Sequence, residues 1–135
     1  MFLKKTIYSM LFLSILYSDS NLTIYLDYNK ALTVAKDKNK SIFILFSKKN
    51  CRWCNKLKNK LSTDTNISKR LKNEFVLLYL DGISSIFPKR YKPKGYPDVF
   101  LISPKEEIYT EIIGYHKNSK DYIKWFNYIK IEQEI

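Results

Sequence analysis

The sequence predicts one α/β domain in which a four-stranded mixed sheet carries helices on both faces. Two continuous apolar runs, 41–46 and 75–80, have the composition of strands that are buried on both sides, as parallel strands are. The segment 107–113 alternates in character, which is typical of an antiparallel edge strand. Segments with helical periodicity separate these strands, and a length of 135 residues fits a single domain.

The composition excludes several classes of protein. A hydrophobic content of 45% and a charged content of 27% are those of a globular chain, not of a disordered one. Three glycines and four prolines exclude collagen-like and low-complexity chains, and two cysteines are too few for a disulfide-stapled miniature fold. The net charge of +11 makes nucleic acid, anionic membranes and acidic proteins candidate partners. Because the lysines are scattered and form no basic tail, we interpret the charge mainly as a lysine-rich composition.

The first segment of the chain has the pattern of a secretory signal peptide. Two lysines precede an apolar run over 7–17, and small residues follow it. The run is too short to span a bilayer comfortably. We therefore predict a signal peptide over residues 1–20, cleaved after Ser18 or Ser20, and a folded domain over 21–135. An uncleaved membrane anchor facing the periplasm and a buried first helix are the alternatives.

Each later element has its own local signal. Predicted helices begin at side chains that can cap a helix, and predicted strands end at turn-forming residues. In chain order we predict a helix from Asp27 to about Lys38, a strand over 41–46, a helix from Cys51 with Leu57 and Leu61 inward, a short helix capped by Asp64, a strand over 75–80, an irregular segment over 83–94, a strand over 98–102, a turn over 103–106, a strand over 107–113 and a helix from Asn118 or Ser119.

The two cysteines, Cys51 and Cys54, carry the most chemical information. Cys51 follows directly on a buried strand and opens a helix, where backbone N–H groups and the helix dipole stabilise a thiolate. The positive charges of Lys48, Lys49 and Arg52 act in the same direction. Cys54 lies one turn further into the helix, where it can attack a mixed disulfide on Cys51. The spacing therefore predicts a redox-active pair.

Other interpretations of the cysteine pair are weaker. Haem attachment requires a histidine directly after the second cysteine, and residue 55 is Asn55. A zinc site needs four ligands, and the two cysteines with the single His116 leave that set short. The sequence therefore predicts neither a metal nor another cofactor. An inert, structural disulfide stays open as an alternative.

The arrangement of these residues resembles the thioredoxin superfamily. The resemblance rests on the strand before the cysteines, on the motif Cys51-Arg-Trp-Cys54 and on the helix after it. A second matching segment, 91–101, is similar to the one that carries the family's cis-proline. On that resemblance Pro97 is the cis residue packed against the disulfide, and the backbone of Tyr96 pairs with an extended substrate strand.

The charge and position of the residues between the cysteines also suggest roles for them. Arg52 is expected to stabilise the thiolate of Cys51. Trp53 is expected to be exposed, where it either contacts the substrate or caps the start of the helix. The stretch 61–67 is further similar to exported bacterial thioredoxin-like proteins and to the periplasmic C-terminal domain of the transmembrane thiol-disulfide electron transporter.

This closer resemblance implies a periplasmic thiol-disulfide oxidoreductase that uses Cys51 and Cys54 to reduce disulfides of exported proteins. Such a protein would act as a monomer and would be recharged by a membrane electron donor. A disulfide oxidase or isomerase is one alternative, and a binding or chaperone module with a structural disulfide is another. Nucleic acid is not an expected partner, because the chain starts like an exported protein and most aromatic residues sit at core positions.

The chain departs from thioredoxin at several site positions. Asn50 stands where thioredoxin has tryptophan, and Arg52 and Trp53 stand where it has glycine and proline. Leu45 replaces a buried acid that helps to move the proton of the buried thiol. The sequence therefore assigns no proton acceptor to the second cysteine. Asp98, where thioredoxin usually has threonine, is a candidate of unknown geometry.

Overall fold

The computed structural model describes residues 21–135, within which it contains five strands and four helices. The predicted signal peptide over 1–20 lies outside the described residues. In chain order the elements are β1 (Ile24–Tyr25), α1 (Tyr28–Lys38), β2 (Ser41–Ser47), α2 (Arg52–Thr63), α3 (Thr65–Glu74), β3 (Phe75–Asp81), β4 (Asp98–Ile102), β5 (Ile108–Ile113) and α4 (Lys120–Glu134).

The strands form one mixed sheet in the spatial order β1-β3-β2-β4-β5. The strand β2 pairs in parallel with β3 and antiparallel with β4, and β5 pairs antiparallel with β4. The predicted mixed α/β architecture is confirmed, but the predicted count of four strands is wrong. The fifth strand, β1, has only two residues, too few to show an alternating pattern. Its parallel pairing, Ile24 with Leu77 and Tyr25 with Leu78, defines it as a strand.

Side-chain caps explain where three of the helices begin. The Asp27 carboxylate accepts a hydrogen bond of 2.8 Å from the Lys30 amide at the start of α1. The Asp64 carboxylate accepts from the amides of Asn66 and Ile67 at the start of α3. The Cys51 sulfur occupies the same position before α2. Each of these residues was predicted to open a helix.

Alternate side chains of β2 divide the core between the two faces of the sheet. Phe43 and Leu45 lie in the cluster that α2, α3 and α4 cover. Ile44 and Phe46 lie in the opposite cluster, which α1 covers together with Tyr91 from the irregular segment. Helices therefore cover both faces of the sheet, as predicted. None of the helices within residues 21–135 is long and apolar enough to cross a bilayer.

Candidate redox site

Cys51 and Cys54 form a disulfide at the beginning of α2, just beyond the carboxyl end of β2. The Cys54 amide donates a hydrogen bond of 3.2 Å to the sulfur of Cys51, which is the N-cap of the helix. Cys51 keeps 7% of its surface exposed, whereas Cys54 is completely buried. The two cysteines at the helix start are thus unequally buried: Cys51 keeps a small exposed fraction and Cys54 keeps none.

The loop between β2 and α2 is held from two sides. Asn50 has a positive φ of 56°, a left-handed conformation that asparagine tolerates better than most residues. The carbonyl of Ser47 accepts a hydrogen bond of 2.8 Å from the amide of Gly82, which follows β3. These constraints position Cys51 at the helix start. The departure from thioredoxin at residue 50 therefore has a backbone role here.

Tyr96 and Pro97 lie beside this loop and are joined by a cis peptide bond. Pro97 is buried, and it directly precedes β4, in which Asp98 pairs with Phe46 of β2. Its carbonyl accepts a hydrogen bond of 2.8 Å from Gly114, so both neighbouring strands hold this position. The ring of Tyr96 packs against Gly82, leaving no room for a β-carbon there.

Trp53 projects from the first turn of α2 and is 49% exposed. Its ring stacks on that of Tyr115, with centroids 5.7 Å apart and planes inclined by 26°. The Lys56 ammonium lies 4.9 Å from the centroid of the Trp53 ring, and the Arg52 guanidinium lies 5.6 Å from it. Neither Tyr115 nor Lys56 was predicted to belong to the site. Of the two, only Lys56 left a local signal, because a residue three places along a helix lies on the same side.

Asp98 lies on the other side of the sheet from the disulfide helix. It pairs with Phe46 in the α1 cluster, whereas Leu45 and the α2 residue Leu57 belong to the opposite cluster. The structure therefore does not bring Asp98 together with Cys54. The apolar Leu45 occupies the corresponding place on the disulfide face.

The buried Asp98 instead forms a polar group with the exposed Lys94 and the half-buried Glu111. One oxygen of Asp98 accepts a hydrogen bond of 2.8 Å from the Lys94 amide, and the Lys94 ammonium lies 3.0 Å from a Glu111 oxygen. The other oxygen of each carboxyl group is buried and has no partner among the described residues. Burial, reinforced by the nearby Glu111 carboxyl group, raises the pKa of Asp98 to about 7.

The described residues offer little for a metal. Within 21–135 there is no cluster of three or more histidine, cysteine or acidic side chains that could hold an ion. His116 follows β5, with its ring 3.1 Å from the Asp121 carboxylate and 3.0 Å from the Ile113 carbonyl. Both ring nitrogens are thus engaged in the structure of this turn.

Comparison with known proteins gives the same fold. A family model described as a thioredoxin-like domain matches residues 28–130. Anterior gradient protein 3 of Mus musculus is 24% identical over 93 residues, which cover 67% of this chain and 55% of that protein. The chain therefore spans only about half the length of this curated relative.

Two solved structures extend the comparison. The solution structure of a thioredoxin from Thermus thermophilus superposes with a TM-score of 0.67 at 21% identity, covering 82% of this chain and 88% of that one. The structure of the DsbH oxidoreductase superposes with a TM-score of 0.61 at 16% identity, covering 78% and 83%. At these identities the likeness is one of fold.

Proposed function

The chain belongs to the thioredoxin-like domain family, and from this premise we propose that it is a thiol-disulfide oxidoreductase that reduces disulfide bonds of exported proteins in the periplasm. The observation that carries the proposal is the unequal burial of the two cysteines at the start of α2. Cys51, partly exposed, is the group that a substrate disulfide can reach, and Cys54 is the sheltered second thiol.

The proposed reaction has two exchange steps. The Cys51 thiolate attacks one sulfur of the substrate disulfide, which forms a mixed disulfide and releases the other substrate sulfur as a thiolate. Cys54, after losing its proton, attacks the sulfur of Cys51 and releases the second substrate sulfur. Two electrons pass from the protein to the substrate, the substrate thiolates take up two protons, and the Cys51–Cys54 disulfide is formed.

The geometry favours Cys51 as the attacking group. The amide of Cys54 already points at its sulfur, and the N-terminus of α2 adds the positive end of the helix dipole. Both stabilise a thiolate. The side chains of Lys48 and Arg52, which lie on either side of Cys51 in the sequence, add further positive charge. Cys54 does not require comparable stabilisation of its thiolate, because it reacts only when the mixed disulfide on Cys51 is already beside it.

The proposal that the substrate is a polypeptide rests on exposed apolar side chains near the disulfide. Trp53 offers half of its surface to solvent next to Cys51, and Ile83 and Ile86 are exposed on the segment that follows β3. Exposed apolar groups at a site of this kind favour a polypeptide disulfide over a small-molecule disulfide. The backbone at Tyr96 is the proposed pairing edge for an extended substrate segment.

Export and recharging are supported by the sequence rather than by the fold. The lysines, apolar run and small residues of 1–20 are the pattern of a secretory signal peptide. A reductant outside the cytoplasm has no glutathione pool to restore it, so we propose a membrane electron donor as its partner. The protein is proposed to act as a monomer.

Disulfide oxidation is the second candidate, and the cations near Cys51 favour it. Stabilising the Cys51 thiolate stabilises the reduced form of the protein, which makes the pair a stronger oxidant. Arg52 and Lys48 act in this direction. Reduction and oxidation use the same residues and differ in the equilibrium potential of the pair.

The deciding experiment is a redox titration of the Cys51–Cys54 pair against glutathione and dithiothreitol. A potential near about −270 mV supports the reductant, and one near about −120 mV supports the oxidant instead. If the disulfide can be reduced only by unfolding the protein, both are wrong, and the domain is a binding module with a structural disulfide. Tagged full-length protein found in the cytoplasmic fraction would contradict export.

A further inference from the structure

We propose that the redox site selects polypeptide segments that carry acidic residues beside the cysteine to be attacked. This inference rests on the proposed function and names its substrate class. It comes from a set of three exposed cations, Lys48, Arg52 and Lys56, which we call the cationic rim. All three belong to the loop before Cys51 or to the first turns of α2.

Each member of the cationic rim lies over an aromatic ring instead of beside a carboxylate. The Lys48 ammonium is 5.4 Å from the centroid of the Tyr96 ring. Lys56 lies over both Trp53 and Tyr115, at 4.9 and 5.6 Å. The Arg52 guanidinium is 5.6 Å from the Trp53 ring. Among residues 21–135, no salt bridge includes a member of the rim.

This kind of contact keeps the positive charge available. An aromatic ring attracts a cation through its quadrupole but does not neutralise it. Elsewhere in the described part of the chain, Lys94 and Arg90 each have a carboxylate within 3.0 Å. The rim cations are thus held in place with their charge unbalanced, which is what binding of a negatively charged partner requires.

The acidic residues at this edge of the sheet already have other partners. The Asp81 carboxylate, at the end of β3, accepts hydrogen bonds from the amides of Ile83 and Ser84. Asp98 is fully buried, and Glu111 pairs with Lys94. Residues 21–135 therefore pair no carboxylate with the rim, and a substrate can supply one.

The rim also has the right distribution for an extended substrate. Lys48 is on the Tyr96 side of the site, and Arg52 and Lys56 are on the Trp53 side, with Cys51 between them in the chain. An extended chain advances about 3.3 Å per residue. Acidic residues a few positions to either side of the substrate cysteine would therefore meet positive charge on both sides.

The test compares the rates at which the reduced protein reduces disulfides of matched peptides. Three peptides of equal length carry aspartate, asparagine or lysine around the cysteine, and bis(2-hydroxyethyl) disulfide serves as a neutral small substrate. We expect the aspartate peptide to react about tenfold faster than the lysine peptide at an ionic strength of about 0.01 M, and about twofold faster at about 1 M. Lys56→Gln should lower the ratio about threefold.

Lys58→Gln is the matched control variant. It removes the same charge from the same helix, and Lys58 also lies over a ring, that of Tyr79 at 5.7 Å, but outside the rim. It should leave the ratio unchanged. Cations that merely stabilised the Cys51 thiolate would raise the rates of reduction of all four substrates equally. The ratio of the aspartate-peptide rate to the lysine-peptide rate therefore reports substrate selection alone.

The possible results distinguish a failure of acidic-substrate selection from a failure of the proposed reductase function. Equal rates for the three peptides, with the neutral disulfide reduced, would overturn the selection of acidic substrates and leave the reductase intact. An equal fall in the ratio in Lys56→Gln and Lys58→Gln would assign the preference to the overall charge and overturn the role of the rim. Failure to reduce any of the four substrates would contradict the proposed function itself.

Discussion

The indole ring of Trp53 stacks on the phenol ring of Tyr115 at a centroid distance of 5.7 Å. The contact ties the first turn of α2 to the residue that follows Gly114 at the end of β5. Gly114 has a φ of +79°, a conformation that suits glycine, and it directly precedes Tyr115. The start of the disulfide helix is therefore in contact with a distant part of the chain.

Loss of this stack should be visible in the fluorescence of Trp53. The sequence has two tryptophans, so Trp125→Phe leaves Trp53 as the only one. In that background, Tyr115→Ala should shift the emission to longer wavelength and increase quenching by acrylamide, because the ring loses its cover. Tyr128→Ala is the control, since Tyr128 contacts Trp125 and not Trp53. Unchanged emission in Tyr115→Ala would mean that the rings do not stack in solution.

The two cysteines should behave differently when replaced singly. Cys51→Ser should abolish turnover, because the accessible sulfur is lost. Cys54→Ser should accumulate mixed disulfides between Cys51 and substrate, because the release step is lost. Non-reducing gels and intact mass spectrometry distinguish the two. Full turnover in Cys54→Ala would contradict the two-cysteine mechanism.

Gly82→Ala should weaken the site more than the fold. The added β-carbon would overlap the Tyr96 ring, a side chain that can swing away. We expect a several-fold loss of kcat/KM and less than about 1 kcal/mol in the free energy of unfolding. In a Tyr96→Ala background the same change should have no further effect on kcat/KM. A full effect in that background would show that Gly82 acts independently of Tyr96.

Asp98 should make stability fall as the pH rises. Its pKa in the folded protein is raised to about 7, above the unfolded value of about 3.9, so the folded state holds the extra proton between these limits. The free energy of unfolding should therefore fall by up to about 1.4 kcal/mol per pH unit from pH about 4 to about 7, then level off.

Urea unfolding of the wild type and Asp98→Asn over this range measures the effect. Asparagine can still accept from the Lys94 amide and carries no ionisable proton, so its profile should lack this decline. The variant should gain stability relative to the wild type as the pH approaches 7. The pKa values of Asp64 and Glu106 are lowered in the folded protein. The changes in unfolding free energy that these two groups cause therefore occur below the pH range in which Asp98 acts. Parallel profiles would contradict the raised pKa of Asp98.

Asp64→Ala should destabilise the junction of three helices. Its carboxylate caps α3 through two backbone amides and also accepts from the Ser119 hydroxyl before α4. Loss of such a cap costs about 0.5–2 kcal/mol, and we expect the upper part of that range because a second contact is lost. Asp37→Ala removes an exposed acid of α1 and is the control. A loss no larger than that of the control would show that the junction contributes nothing.

Local patterns predicted most of this fold because they belong to single elements. The apolar run 41–46 and the caps Asp27 and Asp64 each carry their information within a few residues, and the corresponding elements are present. The strand β1 escaped prediction because its existence depends on a pairing with Leu77 and Leu78, far along the chain. A two-residue segment has no periodicity of its own.

The redox site was likewise predictable only where its features are encoded in neighbouring residues. The spacing of Cys51 and Cys54 and their place after a strand predicted a pair at a helix start. The stacking of Tyr115 on Trp53 could not be predicted, because it needs the turn at Gly114 and the packing of α2. The position of Asp98 depends on its register with Phe46, which decides the face of the sheet and is not visible in a single strand.

The short span of the Cys51–Cys54 disulfide has a consequence for the energetics of the whole molecule. A covalent link stabilises a fold mainly by restricting the unfolded chain, and this restriction grows with the length of the loop it closes. Only three positions separate these cysteines, so the link restricts little, about 2 kcal/mol against about 4.7 kcal/mol for a loop of 100 residues. The core of the sheet and helices must therefore sustain the native state by itself. The disulfide can therefore be reduced and re-formed repeatedly without unfolding the domain that positions it.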